Sequence, residues 1–152
     1  MMTRETGALR ILVVEDEALI VMDMETMIED AGHEMIESAA SVRAVRNLDP
    51  DLAPDLAFVD VQLARGSSGL DAADHIRAVW PDALIVFVTA NPTVLLPDIE
   101  HGDAVVPKPF SRNGLMTALT FLQRGIKDPP PRMPPPDGFI PNHALQARWE
   151  LA

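Results

Sequence analysis

The sequence predicts an α/β fold built on a doubly wound parallel sheet of five strands in the order 2-1-3-4-5. Short apolar runs alternate with longer stretches in which apolar residues recur at helical spacing. Three runs are apolar throughout, as in strands buried on both faces of a parallel sheet: residues 11–14, 56–59 and 84–88. These strands belong in the middle, whereas the weaker second strand, at residues 33–40, and the fifth, at residues 104–106, belong at the edges.

Helical spacing predicts one helix after each of the first three strands and one more after the fifth. Carboxylates open the first helix, Ser41 caps the second and Pro81 stops the third. The predicted ranges are residues 15–31, 42–48, 70–79 and 112–124, and residues 64–69 form a flexible loop near the site before the third helix. Pro92 and Pro97 interrupt the segment before the fifth strand, so we expect only a short, irregular or mobile helix there. Pro107 ends the fifth strand and is tolerated only at the edge of the sheet.

The composition changes at residue 127, after which half of the fourteen prolines occur. We therefore divide the chain into a domain of residues 1–126 and a Pro-rich tail of residues 127–152 with a candidate short helix capped by Asn142. Such a composition avoids packing, so we expect the tail to be disordered or loosely docked. If the helix forms, Leu145 and Trp149 lie one turn apart and would cover the domain or a partner.

The charge and composition exclude several classes of function. The chain of 152 residues has a formal net charge of −11, which repels phosphodiester backbones, so we expect no direct DNA binding. It has no cysteine, and therefore neither disulfides nor thiolate metal sites. The apolar runs are too short to span a membrane, and the N-terminus does not resemble a signal peptide. We expect a cytoplasmic protein.

Candidate functional residues follow the strands at one edge of the predicted sheet. Glu15 and Asp16 follow the first strand, Asp60 ends the third, Thr89 ends the fourth and Lys108 follows the fifth. Each of these residues alone is weak evidence for a site, because a turn, a cap or a solvated loop also explains it, and for Glu15 and Asp16 alone a simple helix start is the better explanation. Together they are a specific set, since the carboxyl ends of parallel strands meet at one edge, where open α/β sheets bind ligands.

The residue types indicate phosphoryl chemistry assisted by magnesium. Clustered carboxylates repel one another, and a hard divalent cation relieves this repulsion through oxygen ligands. Asp60 is then a candidate nucleophile, because a carboxylate can attack phosphorus to form an aspartyl phosphate. Lys108 would neutralise charge on the transferred group, and Thr89 would donate a hydrogen bond to it.

Four motifs stand in order within roughly residues 9–126: residues 11–17 (ILVVEDE), 58–60 (FVD), 88–90 (VTA) and 108–110 (KPF). In their order and spacing they resemble the receiver domain of bacterial two-component response regulators. The resemblance implies a flavodoxin-like fold and a phosphoprotein of phosphorelay signal transduction. Such a protein is not a classical enzyme but promotes its own phosphorylation and dephosphorylation.

The same resemblance implies a role for each matching residue. Asp60 would accept a phosphoryl group from the phosphohistidine of a sensor histidine kinase or a phosphotransfer protein. Asp16 and Asp60 would bind Mg²⁺ directly, Glu15 through water, and Gln62 through its backbone carbonyl. Thr89 and Lys108 would contact the phosphoryl group, and the peptide between Lys108 and Pro109 would be cis. The chain is also similar to stand-alone receivers that partner HWE-type histidine kinases.

The sequence departs from the family pattern in three places. Val105 stands where members usually carry an aromatic ring that moves inward, and the segment after Thr89 is about one turn shorter than usual and interrupted by proline. Glu15 replaces the commoner aspartate. The first two differences suggest that phosphorylation is read out by ordering or shifting residues 91–101.

The residues leave alternatives open. The region after the domain is too short for an output domain, so we expect a stand-alone adaptor, relay or phosphate sink that acts through contacts with a downstream protein. A homodimer is a further candidate assembly. One alternative is a magnesium-dependent phosphatase, although Gln62 stands where such enzymes place a second aspartate. The other is an interaction module that is never phosphorylated. Such a module would be expected to lack the acidic pair, Asp60 or Lys108, and this sequence has all of them.

Overall fold

The computed structural model describes residues 7–63 and 68–151 of the chain. Among these residues, six strands form one sheet in the order β2-β1-β3-β4-β5-β6. Their bounds are β1 Arg10–Val14, β2 Glu34–Ala39, β3 Leu56–Asp60, β4 Leu84–Thr89, β5 Ala104–Pro107 and β6 Ile140–Pro141. The first five strands are parallel, in the predicted order, and β6 is antiparallel to β5. Every residue of β3 and β4 is buried, as expected of central strands.

The helices follow the predicted alternation, with an additional helix in the tail. They are α1 Ala18–Asp30, α2 Val42–Arg46, α3 Gly69–Val79, α4 Arg112–Lys127 and α5 His143–Arg148. The side chains of Ser41, Ser68, Ser111 and Asn142 cap α2, α3, α4 and α5 by accepting backbone N–H bonds. Residues 64–67, expected to form a loop near the site, lie outside the described residues.

The two faces of the sheet carry separate apolar cores, because successive side chains of a strand point to opposite faces. On one face, Phe58 of β3 packs with residues of α1, α4 and the tail. On the other, Phe87 of β4 packs with residues of α2 and α3, including Ile76. The helices therefore hold the sheet from both sides, and the carboxyl ends of the strands are left accessible at one edge.

The segment between β4 and β5 contains no α-helix. Its described helical part is a single 3₁₀ turn, Pro92–Leu95, followed by an extended residue and Pro97. Proline offers no N–H to continue a helix, which accounts for the early stop. The predicted short, irregular helix is confirmed, whereas its mobility stays a prediction. Buried Leu95 and Ile99 anchor the segment to the core.

The expectation of a disordered or loosely docked tail is wrong. Residues 140 and 141 extend the sheet by pairing with Val105 and Ala104 of β5. Leu145 is fully buried, and Trp149 is only 3% exposed. Phe139, Leu145 and Trp149 join the core that contains α1 and α4, whereas Ile140 packs against the core on the other face of the sheet. Burial of these large side chains contributes most of the docking energy.

The tail also covers part of β5. Strand β6 pairs with Ala104 and Val105, so β5 is at the edge of the sheet only beyond Val105. The pairing with β6 stops at Val105, so Pro107, which pairs with Thr89 of β4 on its other side, lies beyond the residues that β6 contacts, and its missing N–H interrupts no bond to β6. Helix α4 continues to Lys127, so the proposed boundary between residues 126 and 127 falls inside its last turn. The division into domain and tail stays a prediction, but the tail packs on the domain as part of its core.

Candidate functional site

The structure brings the predicted side chains together at one edge of the sheet. Asp60 pairs with Val88 and Thr89 with Pro107 across neighbouring strands, so the strands end almost level. Glu15, Asp60 and Thr89 are buried there, and Asp16 is half-buried. A cavity of about 360 Å³ opens beside them. It is lined by Asp16, Glu17, Asp60, Gln62, Leu63, Thr89, Ala90, Asn91, Val94 and Lys108.

Lys108 joins two of the carboxylates. Its Nζ lies 2.7 Å from Oε1 of Glu15 and 3.2 Å from Oδ2 of Asp60. Burial lowers the pKa of Lys108, but the hydrogen bond to Glu15 and the charges of Asp60 and Glu15 outweigh it and raise that pKa above its ordinary value. Lys108 is therefore held as a cation against Asp60. Its backbone N–H donates to the carbonyl of Thr89 at 2.8 Å, and the Lys108–Pro109 peptide is cis.

Backbone N–H groups orient the remaining oxygens of the site. The N–H of Gln62 donates to Oδ1 of Asp60 at 3.0 Å, and the N–H of Glu17 donates to Oε2 of Glu15 at 3.1 Å. The hydroxyl of Thr89 accepts a hydrogen bond of 3.1 Å from the N–H of Asn91. Asp60 thus has each carboxylate oxygen in a defined hydrogen bond, with one oxygen facing the ammonium group.

The carboxylates have the composition of a magnesium site. Among the described residues, one oxygen each of Glu15, Asp16 and Asp60 lie within 4.8 Å of one another. The cluster holds three carboxylates, and the ammonium of Lys108 contacts two of them, Glu15 and Asp60, so an excess of negative charge remains that a divalent cation would neutralise. Mg²⁺ prefers oxygen ligands of this kind together with water. Gln62 lines the adjacent cavity, and the role of its carbonyl as a ligand stays a prediction.

Two features of the site had no clear signal in the sequence. Val94 lines the cavity although 55% of its surface is exposed, because the 3₁₀ turn brings it beside the site. Gly69 opens α3 directly against the backbone of Asp60, and a Cβ at this position would overlap the carbonyl group of Asp60. The sequence places Gly69 only as the last residue of the predicted loop, one residue before the predicted helix. Ser68, expected to lie in a loop, caps α3.

Comparison with known proteins agrees with this geometry. The family model described as "Response regulator receiver domain" matches residues 11–120, most of the chain. The chain belongs to the response regulator receiver domain family. Its matched relatives are signalling proteins rather than classical enzymes, and the fold, the phosphoacceptor signalling class and the two-component context follow from this membership.

Three relatives give the extent of the similarity. The phyllosphere-induced regulator PhyR of Methylorubrum extorquens is 38% identical over 125 residues, which are 79% of this chain and 46% of PhyR. The photosynthetic apparatus regulatory protein RegA of Rhodovulum sulfidophilum is 31% identical over 92% of this chain and 73% of RegA. The solution structure of the Erythrobacter litoralis PhyR receiver domain is 31% identical with a TM-score of 0.63, covering 76% of this chain and 90% of that domain. This chain spans about half the length of the M. extorquens relative.

No helix in the described part of the chain is long and apolar enough to cross a membrane. The cytoplasmic location stays a prediction. Within residues 7–63 and 68–151 the structure shows one packed receiver fold with its tail, and no DNA-binding unit is evident.

Proposed function

We propose that this protein is a magnesium-dependent phosphoacceptor, in which Asp60 takes a phosphoryl group from the phosphohistidine of a sensor kinase or phosphotransfer protein. The observation that supports this most directly is the contact of Lys108 with both Glu15 and Asp60 beside an open cavity. A carboxylate that faces an ammonium and lines an open cavity can be reached by a phosphoryl donor. The similarity to stand-alone receivers that partner HWE-type kinases supports a kinase of that class as the donor.

In this proposal a carboxylate oxygen of Asp60 attacks phosphorus, a P–O bond forms and the P–N bond of phosphohistidine breaks. The bonding electrons return to the imidazole nitrogen of the donor, so atoms and charge balance. Lys108 lies close enough to the carboxylate to follow the transferred group and neutralise charge on its oxygens. The Thr89 hydroxyl lines the same cavity and donates a hydrogen bond to the group.

Glu15, Asp16, Asp60 and the Gln62 carbonyl would hold Mg²⁺, which when bound supplies further charge neutralisation at the phosphoryl oxygens. Without a cation, the dianionic phosphoryl group would enter a cluster that already carries excess negative charge. Phosphorylation should therefore require the metal. The fully assembled acidic pair and Lys108 favour this function over a module that is never phosphorylated.

Phosphorylation would then change the binding of a downstream protein. The activities and partners named for the longer relatives belong to those proteins, because this chain matches only part of the PhyR proteins. A phosphatase that uses the same intermediate is less favoured, since Gln62 offers no acid group beside Asp60.

Intact-protein mass spectrometry tests the proposal. The full chain is incubated with acetyl phosphate or with phosphoramidate, whose P–N bond mimics that of phosphohistidine, with and without Mg²⁺. We expect one phosphoryl adduct that requires Mg²⁺ and is lost in Asp60→Asn. The matched control Asp82→Asn removes an exposed carboxylate and should keep the adduct. Adduct formation in Asp60→Asn, or no adduct from either donor in the wild type, would refute the proposal.

A further inference from the structure

The tail packs on α4 through an aromatic cluster. The ring of Phe121 makes edge contacts with Phe139 at 5.0 Å and with Trp149 at 5.7 Å between centroids. The indole of Trp149 lies directly over Gly125, where a Cβ would overlap it. The indole of Trp149 thus occupies the space that is left because Gly125 of α4 has no side chain.

The start of α5 is bound to the segment that follows β4. Nδ2 of Asn142 donates to the carbonyls of Gly102, at 2.8 Å, and Ile99, at 3.4 Å. The backbone N–H of Asn142 donates to the Asp103 carbonyl at 2.8 Å, and that of His143 donates to Oδ1 of Asp98 at 3.0 Å. Residues 98–103 and the tail therefore form one hydrogen-bonded unit.

The same segment begins at the phosphoacceptor site. Its first hydrogen bond joins the N–H of Asn91 to the Thr89 hydroxyl, and Val94 lines the cavity beside Asp60. Between these two ends, Leu95 and Ile99 are buried in the core next to β5. A continuous set of contacts thus leads from Thr89 through residues 91–103 to Asn142 and the tail helix.

We propose that residues 137–151 are the readout element of this receiver, an intramolecular ligand whose hold on residues 98–103 weakens when Asp60 is phosphorylated. This inference rests on the proposed function. A phosphoryl group in the cavity takes the Thr89 hydroxyl as a donor and draws it from its position beside Asn91, so the 3₁₀ turn shifts. The carbonyls of Ile99 and Gly102 then move away from Asn142, and the tail is loosened.

The segment is suited to such a shift because no α-helix stiffens it, although Leu95 and Ile99 hold it to the core. It is a single 3₁₀ turn, and Val94 and Leu96 are 55% and 44% exposed. Val105, buried in β5, has no ring that could transmit the change. By linkage, loosening the tail should favour phosphorylation to the same extent that phosphorylation loosens the tail, typically about 5- to 150-fold in such systems.

Tryptophan fluorescence of the full chain tests the inference. The chain has two tryptophans, so Trp80→Phe leaves Trp149 as the reporter. Acrylamide quenching of Trp149 is measured before and after acetyl phosphate and Mg²⁺ are added, and the adduct is quantified by mass in the same samples. We expect a several-fold rise in the quenching constant that follows the adduct and is absent in Asp60→Asn.

A second variant tests the route through Asn142. Asn142→Asp keeps an oxygen to accept the N–H of Leu145, which lies 2.7 Å from Oδ1 of Asn142, but it loses the donor to Gly102 and Ile99. We expect phosphorylation to produce no further rise in quenching in this variant. Ala144→Asp adds the same charge at an exposed position of α5 and should retain the response. Asn142→Ser, which also caps helices, replaces Asn142→Asp if that variant does not fold.

The outcomes separate this inference from the proposed function. An adduct with unchanged quenching of Trp149 would overturn the inference and leave the phosphoacceptor function intact. A response of equal size in Asn142→Asp would overturn the route through residues 98–103. Absence of any adduct would overturn the proposed function and the inference together.

Discussion

The contact between Gly125 and Trp149 allows a sharp test of whether the tail is docked. In Gly125→Ala, the new Cβ would lie 2.6 Å from Cε2 of the indole and nearer still to two other ring carbons. Non-bonded carbons prefer about 3.5–4.0 Å, so the ring must retreat by roughly 1 Å. Overpacking of this size usually destabilises a protein by about 1–3 kcal/mol. In the opposite direction, replacing glycine by alanine inside a helix stabilises the folded state by about 1 kcal/mol.

The sign of the Gly125→Ala effect should therefore depend on Trp149. With Trp149 present, we expect the free energy of unfolding to fall by up to about 2 kcal/mol, since a clash that costs about 1–3 kcal/mol is only partly offset by a helix-propensity gain of about 1 kcal/mol. Trp149→Ala alone should lower it by about 3–5 kcal/mol, because a large buried side chain is lost. In the Trp149→Ala background, Gly125→Ala should raise the free energy of unfolding by about 1 kcal/mol, since the space above the helix is then open.

Urea unfolding followed by circular dichroism at the four corners of this double-mutant cycle gives the coupling energy. The matched control is Gly114→Ala, also in α4, where the nearest atom to a new Cβ is the Ser111 hydroxyl at 3.2 Å. Its effect should be the same with and without Trp149. Equal effects of Gly125→Ala in both backgrounds, within about 0.5 kcal/mol, would refute the docked position of the tail.

Three further predictions concern pH, the position of Asp60 and the segment after β4. Burial lowers the pKa of His33 below 6.5, and its Nδ1 accepts the N–H of Leu9. Below pH 6.5 the unfolded chain then binds this proton more readily than the folded chain does. The free energy of unfolding should therefore decrease as the pH is lowered through this range, and it should decrease less steeply in His33→Asn than in the control His75→Asn. Urea titrations at several pH values measure this, and parallel slopes for the wild type and His33→Asn would contradict it. Gly69→Ala should displace the backbone of Asp60 and slow adduct formation from acetyl phosphate at least about tenfold, since misplacement by about 1 Å strongly impairs catalysis; an unchanged rate in a folded variant would rule this out. Amide exchange of residues 91–101 should change on phosphorylation while that of β3 does not, and unchanged exchange in the segment would exclude it as the element that responds.

Much of the fold could be predicted because local patterns and topology agree. The runs that end at Asp60 and Thr89 are too short and too apolar for surface helices, so they define the central strands. Once the strands are parallel, their carboxyl ends must meet, and Lys108 reaches Glu15 although 93 residues separate them. Pro92 and Pro97 likewise predicted that the segment after β4 forms no regular helix, because proline cannot donate the backbone hydrogen bonds that such a helix needs.

The tail could not be predicted in the same way, because its docking depends on distant complementarity. A proline-rich composition indicates disorder, yet Leu145 and Trp149 are buried against the domain. The space that receives the indole arises from Gly125, and nothing in the local sequence relates that glycine to a tryptophan 24 residues later. The same limit applies to Gly69, whose contact with Asp60 exists only after β3 and α3 have packed.

The sequence by itself therefore determined the order of the first five strands, the set of candidate reacting groups and the edge of the sheet at which they meet. These features follow from periodicity, residue type and chain direction, which are local properties. Only the tertiary structure decided that Lys108 lies between Glu15 and Asp60, that Val94 borders the cavity, and that the tail closes β5. These arrangements depend on which surfaces fit together at van der Waals distance, and that fit is a property of the packed molecule rather than of any segment.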